Sequence, residues 1–122
     1  MPSFAMNQPP RVCIQTGDFD VGQELATLRA ADHRVGAVCS FVGTVRDRNV
    51  KEGDLAGHVQ SMELEHYPSM TEKAIEAMID EAQRRFDIYA ARIIHRVGML
   101  QPGDQIVLVA VTSAHRRESF QA

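Results

Sequence analysis

The chain of 122 residues contains no tryptophan, two cysteines and two lysines, Lys51 and Lys73. Cys13 and Cys39 form no CxxC pair, which removes the signatures of a zinc knuckle and of a disulfide framework. Each lies in an apolar, strand-like segment, where a buried free thiol is the expected state. No apolar run approaches the ~20 residues that a membrane span requires. The opening MPSFAMNQPPR lacks a basic region followed by a long apolar stretch, so it does not read as a secretory signal. There is no GxGxxG, no Walker loop and no GxSxG, the marks of nucleotide-binding folds and serine hydrolases. Neither sign of charge dominates: 13 Lys and Arg stand against 16 Asp and Glu, net −3. That balance argues against a whole-chain nucleic-acid footprint. The expectation is a soluble, cytoplasmic single domain with no nucleic-acid or membrane partner.

What is present suffices for a core. The chain is 44% apolar, and at this length a domain buries roughly two-thirds of the surface its unfolded form exposes. Residues 1–10 read as a flexible leader and 11–122 as one domain. Arg11 to Thr16 alternates as a short strand. Asp20 with Gln23 makes a capping box before Val21, Leu25 and Leu28, which fall at helical spacing, and the helix should end near Ala31 to His33. Val35 to Val45 is apolar at both alternating sets of positions and reads as a strand buried on both faces.

Arg46 to Gly57 is charged and aperiodic, either a plain solvated loop or a lid that orders over a ligand. Val59 to Tyr67 returns to strand character, which Pro68 stops. Ser69 with Glu72 makes a second capping box, opening a helix whose stripe of Met70, Ala74, Met78, Ala82 and Phe86, widened by Ile75 and Ile79, reads as core filling. Arg92 to Val97 is a strand, Gln101 to Asp104 a tight turn with Pro and Gly at suitable positions, and Gln105 to Thr112 another strand apolar on both faces. The pattern is α+β, with two to three helices counting the start of one after Ser113.

Two of these apolar strands run directly into basic residues. One continues as Thr44-Val45-Arg46 and the other as Ser113-Ala114-His115-Arg116. Residues that follow a rigid strand are held in place by the scaffold. Ser113 is a candidate helix cap, which would add backbone N–H groups to an electropositive corner. An arginine fork binds phosphate through two parallel charge-assisted bonds, and histidine exchanges a proton near neutral pH. Arg46, His115 and Arg116 would therefore suit a phosphate-bearing small molecule, although on spacing alone an ordinary solvated basic turn is the more economical reading. Glu63 and Glu65 alternate against His66, which opposes a shared metal site. His95-Arg96 reads as structural or partner-facing.

Four segments together resemble the large, catalytic subunit of molybdopterin synthase. They are Phe41-Val-Gly-Thr-Val-Arg-Asp47, the stretch Leu64-Glu-His-Tyr-Pro-Ser-Met-Thr-Glu-Lys-Ala74, Ile94-His-Arg-Val-Gly98 with Leu100 and Pro102-Gly-Asp104, and Val111-Thr-Ser-Ala-His-Arg116. They stand in the family's order from about residue 35 onward. The resemblance implies an α/β-hammerhead-type fold with a mostly antiparallel sheet and a homodimer of large subunits. It also implies a small ubiquitin-like sulfur-carrier subunit whose C-terminal Gly-Gly thiocarboxylate enters the large subunit, the whole forming a heterotetramer. Two sulfur transfers would convert cyclic pyranopterin monophosphate into the dithiolene molybdopterin, without metal or other cofactor. Substrate contacts would fall on Thr44, Val45, Arg46, His115 and Arg116.

The family pattern continues past this chain's last residue through a helix and a further stretch carrying essential lysines. Neither Lys51 nor Lys73 matches those positions, and arginine, which stays protonated, cannot replace an amine that must lose its proton. No catalytic residue is then identifiable apart from His115 as a candidate. The expectation is a domain lacking its C-terminal segment, able to fold and dimerise but not to make molybdopterin. The alternative is a non-catalytic dimeric interaction protein that keeps the carrier-binding surface.

Overall fold

The computed structural model describes residues 11–46, 62–64 and 68–122. The expected leader 1–10, the loop beyond Arg46 as far as Gly57, and Glu65 and His66 lie outside these. The elements are β1 (Val12–Gln15), α1 (Val21–Ala30), β2 (Ala37–Thr44), β3 (Met62–Leu64), α2 (Pro68–Arg85), β4 (Ala90–Arg96), β5 (Gly98–Leu100), β6 (Gln105–Ser113) and α3 (Arg116–Gln121). Four strands form one sheet in the order β1-β4-β6-β2, and β3 with β5 forms a second, two-stranded sheet. Only β1 with β4 is parallel; β4 with β6, β6 with β2 and β3 with β5 are antiparallel. The α+β reading with a mostly antiparallel sheet and three helices holds.

Alternation along the strands gives the main sheet two apolar faces. On one, Val12, Ile79, Ile88, Ala91 and Val111 are buried together, with Ile14, Ile75, Ala82, Phe86, Ile93 and Val109 packed against them. On the other, Phe19, Ile94 and Leu108 are buried, with Cys13, Val21 and Val42 alongside. The first face lies under α2 and the second under α1. Asp20 caps α1 as expected, its side chain accepting a hydrogen bond from the Gln23 N–H. Arg92 on β4 is buried and its Nε lies 2.7 Å from Glu24 Oε1, pinning α1 to the sheet. The guanidinium of Arg96 donates to the Thr16 and Gln105 carbonyl oxygens, which gives it a structural part.

Several expectations are corrected. β6 is buried on both faces from Leu108 to Ser113 apart from half-buried Val109, but β2 holds no buried residue and exposes Ser40 and Phe41. The two strands have the same apolar character; β6 is central and β2 is an edge, so burial follows position in the sheet. Cys13 and Cys39 are half-buried thiols on strands at opposite edges of the sheet.

Helix α2 starts at Pro68, so Ser69 lies inside it and not at its cap. Pro68 occupies the first helical position, where its missing N–H would be unpaired in any case. The buried face of α2 runs through Ile75, Ile79, Ala82 and Phe86, while Ala74 and Met78 face solvent. Four-residue steps overshoot a 3.6-residue turn and drift around the helix; the 4-3-4 spacing of the core residues corrects that drift. The pattern of the chain also hid β5, a three-residue strand directly after β4 that pairs with β3.

Candidate functional site

The two cationic segments sit at opposite ends of one antiparallel ladder. Ala37 pairs with Ser113, and Thr44 pairs with Gln105. Arg46 therefore leaves the ladder where β6 begins, and His115 and Arg116 leave it where β6 ends. At the usual rise per residue these ends lie about 27 Å apart. A single chain does not bring Arg46 together with His115 and Arg116, contrary to the expected three-residue cluster.

At the first end, the ladder register shifts between Gly43 and Thr44. Such a bulge turns the strand and re-aims the side chains that follow. Val45 is 3% exposed. Its N–H donates to the Asp104 carbonyl oxygen at 2.9 Å, and its own carbonyl accepts from the Gly103 N–H at 2.8 Å. The turn that supplies these partners closes through the Asp104 N–H to the Gln101 carbonyl at 2.9 Å. Gly103 has φ of 93°, the conformation that glycine supplies at the third position of a type II turn after proline. Thr44 and Arg46 are exposed, whereas Val45 is an anchor with both backbone groups engaged.

At the second end, β6 passes through Ser113 and Ala114 into α3. His115 is the N-cap residue, with extended backbone and no side-chain cap bond. Ser113 is thus not the cap that its position suggested. Its hydroxyl donates instead to the His115 carbonyl oxygen at 2.5 Å and lies 2.6 Å from the Ser119 hydroxyl. The Gly36 N–H donates to the Ser113 carbonyl at 2.9 Å, closing the ladder at that end. With six residues, α3 has a small dipole, so the charge of this corner comes from side chains.

His115, Arg116 and Arg117 are exposed. Among the described residues, no ion pair engages Arg46, His115, Arg116 or Arg117. A cavity of about 340 Å³ lies between Ala37–Cys39 of β2 and the Arg116, Arg117, Ser119 and Phe120 side of α3. Its size suits a small organic ligand, and Arg116 and Arg117 are among the residues that line it. Among the described residues, no group of three or more His, Cys, Asp or Glu could hold a metal ion, and no helix is long and apolar enough to cross a membrane. Sequence reasoning missed Ser119, which reads as an ordinary polar helix residue yet is 3% exposed.

A family model described as MoaE protein matches residues 14–122. A molybdopterin synthase catalytic subunit from Ralstonia nicotianae is 55% identical over 93% of this chain and 61% of its own length. One from Vibrio cholerae is 48% identical over 92% of this chain and 71% of its own length. The chain thus spans about three-fifths to seven-tenths of these relatives. Among solved structures, a molybdopterin biosynthesis MoaE protein from Burkholderia ambifaria superimposes with a TM-score of 0.79 at 47% identity, covering 92% of this chain and 71% of that one. The crystal structure of molybdopterin synthase from Staphylococcus aureus gives 0.76 at 28% identity, covering 93% and 77%. With the family match spanning nearly the whole domain and both strand ends, the chain belongs to the MoaE protein family.

Proposed function

We propose that this protein serves molybdenum cofactor biosynthesis as the catalytic subunit of a molybdopterin synthase. Sulfur would pass from the C-terminal thiocarboxylate of a small ubiquitin-like carrier subunit to cyclic pyranopterin monophosphate, giving the dithiolene. The observation that carries this reading is the pair of cationic strand ends, Thr44-Val45-Arg46 and His115-Arg116, whose charges meet no ion-pair partner among the described residues, within a domain whose relatives bear that name. Arg46 and Arg116 hold the substrate phosphate through forked charge-assisted bonds. His115 would donate a proton as charge develops.

The 27 Å between the two ends is reconciled by a homodimer. β2 is an eight-residue edge strand whose outer side pairs with nothing among the described residues, and its Phe41 is 62% exposed. Such an edge is a template for pairing with another chain. If two copies meet there antiparallel about a two-fold axis, the Arg46 end of one β2 lies beside the Ala37 end of the other. That is where His115 and Arg116 stand, so each pocket would draw on both protomers.

Calorimetric titration with cyclic pyranopterin monophosphate tests the reading. Arg116→Ala should weaken binding by about 1.5–3 kcal/mol, the range for a hydrogen bond to a charged group. Arg46→Lys should also lose affinity, because a point charge does not reproduce a fork. Wild-type affinity in both variants would overturn the pocket. Mixing Arg46→Ala and Arg116→Ala protein and allowing exchange should restore about a quarter of the sites if each site spans two protomers. No recovery would place the site within one chain.

A further inference from the structure

Resting on the reading of His115 and Arg116 as ligand-binding residues, we propose that Ser119 is a positioning residue that sets their orientation through Ser113. Three observations carry this. Ser113 is fully buried and Ser119 is 3% exposed, at the contact of β6 with α3. The Ser119 hydroxyl lies 2.6 Å from the Ser113 hydroxyl and 3.2 Å from the Val111 carbonyl oxygen, and the Ser113 hydroxyl lies 2.5 Å from the His115 carbonyl. The N-cap itself supplies no side-chain bond, so the usual device for fixing the start of a helix is absent.

Two hydroxyls hold two protons, and three contacts compete for them. If Ser119 donated to the Val111 carbonyl and Ser113 to His115, a 2.6 Å oxygen–oxygen contact would carry no proton. The arrangement that satisfies both short contacts is a chain in which Ser119 donates to Ser113 and Ser113 donates to the His115 carbonyl. The longer Val111 contact is then secondary. The chain draws the His115 carbonyl toward the buried strand end. Rotation about the backbone here would swing the imidazole and the adjacent guanidinium together.

A buried serine inside a helix has a desolvation cost that alanine, also the better helix former, would avoid. Its hydroxyl is therefore explained by what it orients. Ser119 also lines the cavity beside α3, but its hydroxyl is engaged by Ser113 and Val111 and acts through the backbone of the corner.

The test uses the full chain and cyclic pyranopterin monophosphate as the probe. Ser119→Ala should lower affinity by about threefold to tenfold, the span of one lost neutral hydrogen bond. Hydrogen exchange should rise at Ala114 to Arg117 while Leu108 to Thr112 keeps its protection. Ser119→Thr, which keeps the hydroxyl, should recover most of the affinity. In an Arg116→Ala, His115→Ala background the Ser119→Ala change should cost nothing further.

Wild-type affinity in Ser119→Ala, or an undiminished extra loss in that background, overturns the inference. So does faster exchange without loss of affinity, which would mean that the hydroxyls hold the fold and not the ligand residues. Failure of the underlying reading looks different: Arg116→Ala would itself bind normally. Failure of the positioning role leaves Arg116→Ala weak and Ser119→Ala normal.

Discussion

The two ends of the β2–β6 ladder carry similar side chains but are held by different means. At Val45, two reciprocal backbone hydrogen bonds tie the strand to the Gln101–Asp104 turn, and a buried valine anchors it. At Ser113, one backbone bond from Gly36 is supplemented by two buried hydroxyls. Backbone bonds tolerate most side-chain replacements, so the first end depends on sequence mainly through the glycine that permits its turn. The second depends on single side-chain atoms and on a close approach between two segments of main chain. The backbone that carries Arg46 is thus fixed by a turn, and the backbone that carries Arg116 by polar packing.

Gly36→Ala should break this comparison most severely. A Cβ there would stand 2.3 Å from the Ala114 carbonyl oxygen, a backbone atom that cannot step aside without opening the Gly36–Ser113 bond. The expected loss is about 3 kcal/mol, at the upper part of the range for overpacking, measured as a lower urea midpoint. The exchange of Ala114 and His115 amides should rise more than that of Val45. A loss below about 1 kcal/mol would show that the corner yields easily and is not built on this contact.

Gly103→Ala is the corresponding change at the other end, with an intermediate effect. No atom lies within 4 Å of a Cβ at Gly103, so the cost is conformational alone: about 1–2 kcal/mol for an L-residue held at positive φ. The turn supplies both partners of Val45, and any relaxation reaches Arg46. Affinity for the phosphate-bearing pterin should fall several-fold in Gly103→Ala, and in an Arg46→Ala background the Gly103→Ala change should cost no further affinity. An unchanged affinity beside a measurable stability loss would detach the turn from the site.

These contrasts mark what the sequence could and could not tell. The Asp20 cap, the Pro-Gly turn, the alternating strands and the four segments that resemble the family are local signals, and the structure reproduces the first three as local geometry. Edge and central strands cannot be told apart locally: β2 and β6 have matching apolar runs, and only the order β1-β4-β6-β2 separates them. The same pairing sets Arg46 far from His115, although both follow an apolar strand in the same way. The four-residue spacing on α2 puts Met78 in the apolar stripe, yet its side chain is exposed, whereas Ile75 and Ile79, which widen the stripe, pack into the core. Ser119 gives no sequence signal, because a hydroxyl is informative only once its partners, six and eight residues earlier in β6, are known.

The smallest expected effect separates the two ends by acid. Asp32 lies just before β2 at the Ser113 end, with its carboxylate held by the Arg34 guanidinium and backbone N–H. These bonds, the side-chain bond from Arg34 first, lower its pKa to about 2. Asp18 lies at the Gln105 end and accepts from the Gln105 side chain and from the Phe19 N–H, which also lower its pKa. A carboxylate whose folded pKa is depressed adds stability that is fully present above its unfolded value near 4 and fades as pH falls through the folded value. Between about pH 4 and 2 the Asp32 end should therefore lose support, the Asp18 end should do so as pH falls below about 4, and neither effect should appear near neutrality. Because Asp18 is exposed and Asp32 only half-buried, solvent screens both, and the losses should be small and should shrink in salt. Amide exchange followed down this range, corrected for intrinsic rates, should rise around Asp32 to Ala37 and, separately, around Thr16 to Phe19. Asp32→Asn should flatten the first rise and leave the second, and Asp18→Asn should do the reverse. A common rise at both ends in either variant would show the ladder opening as one unit, and the distinction between its two ends would fail.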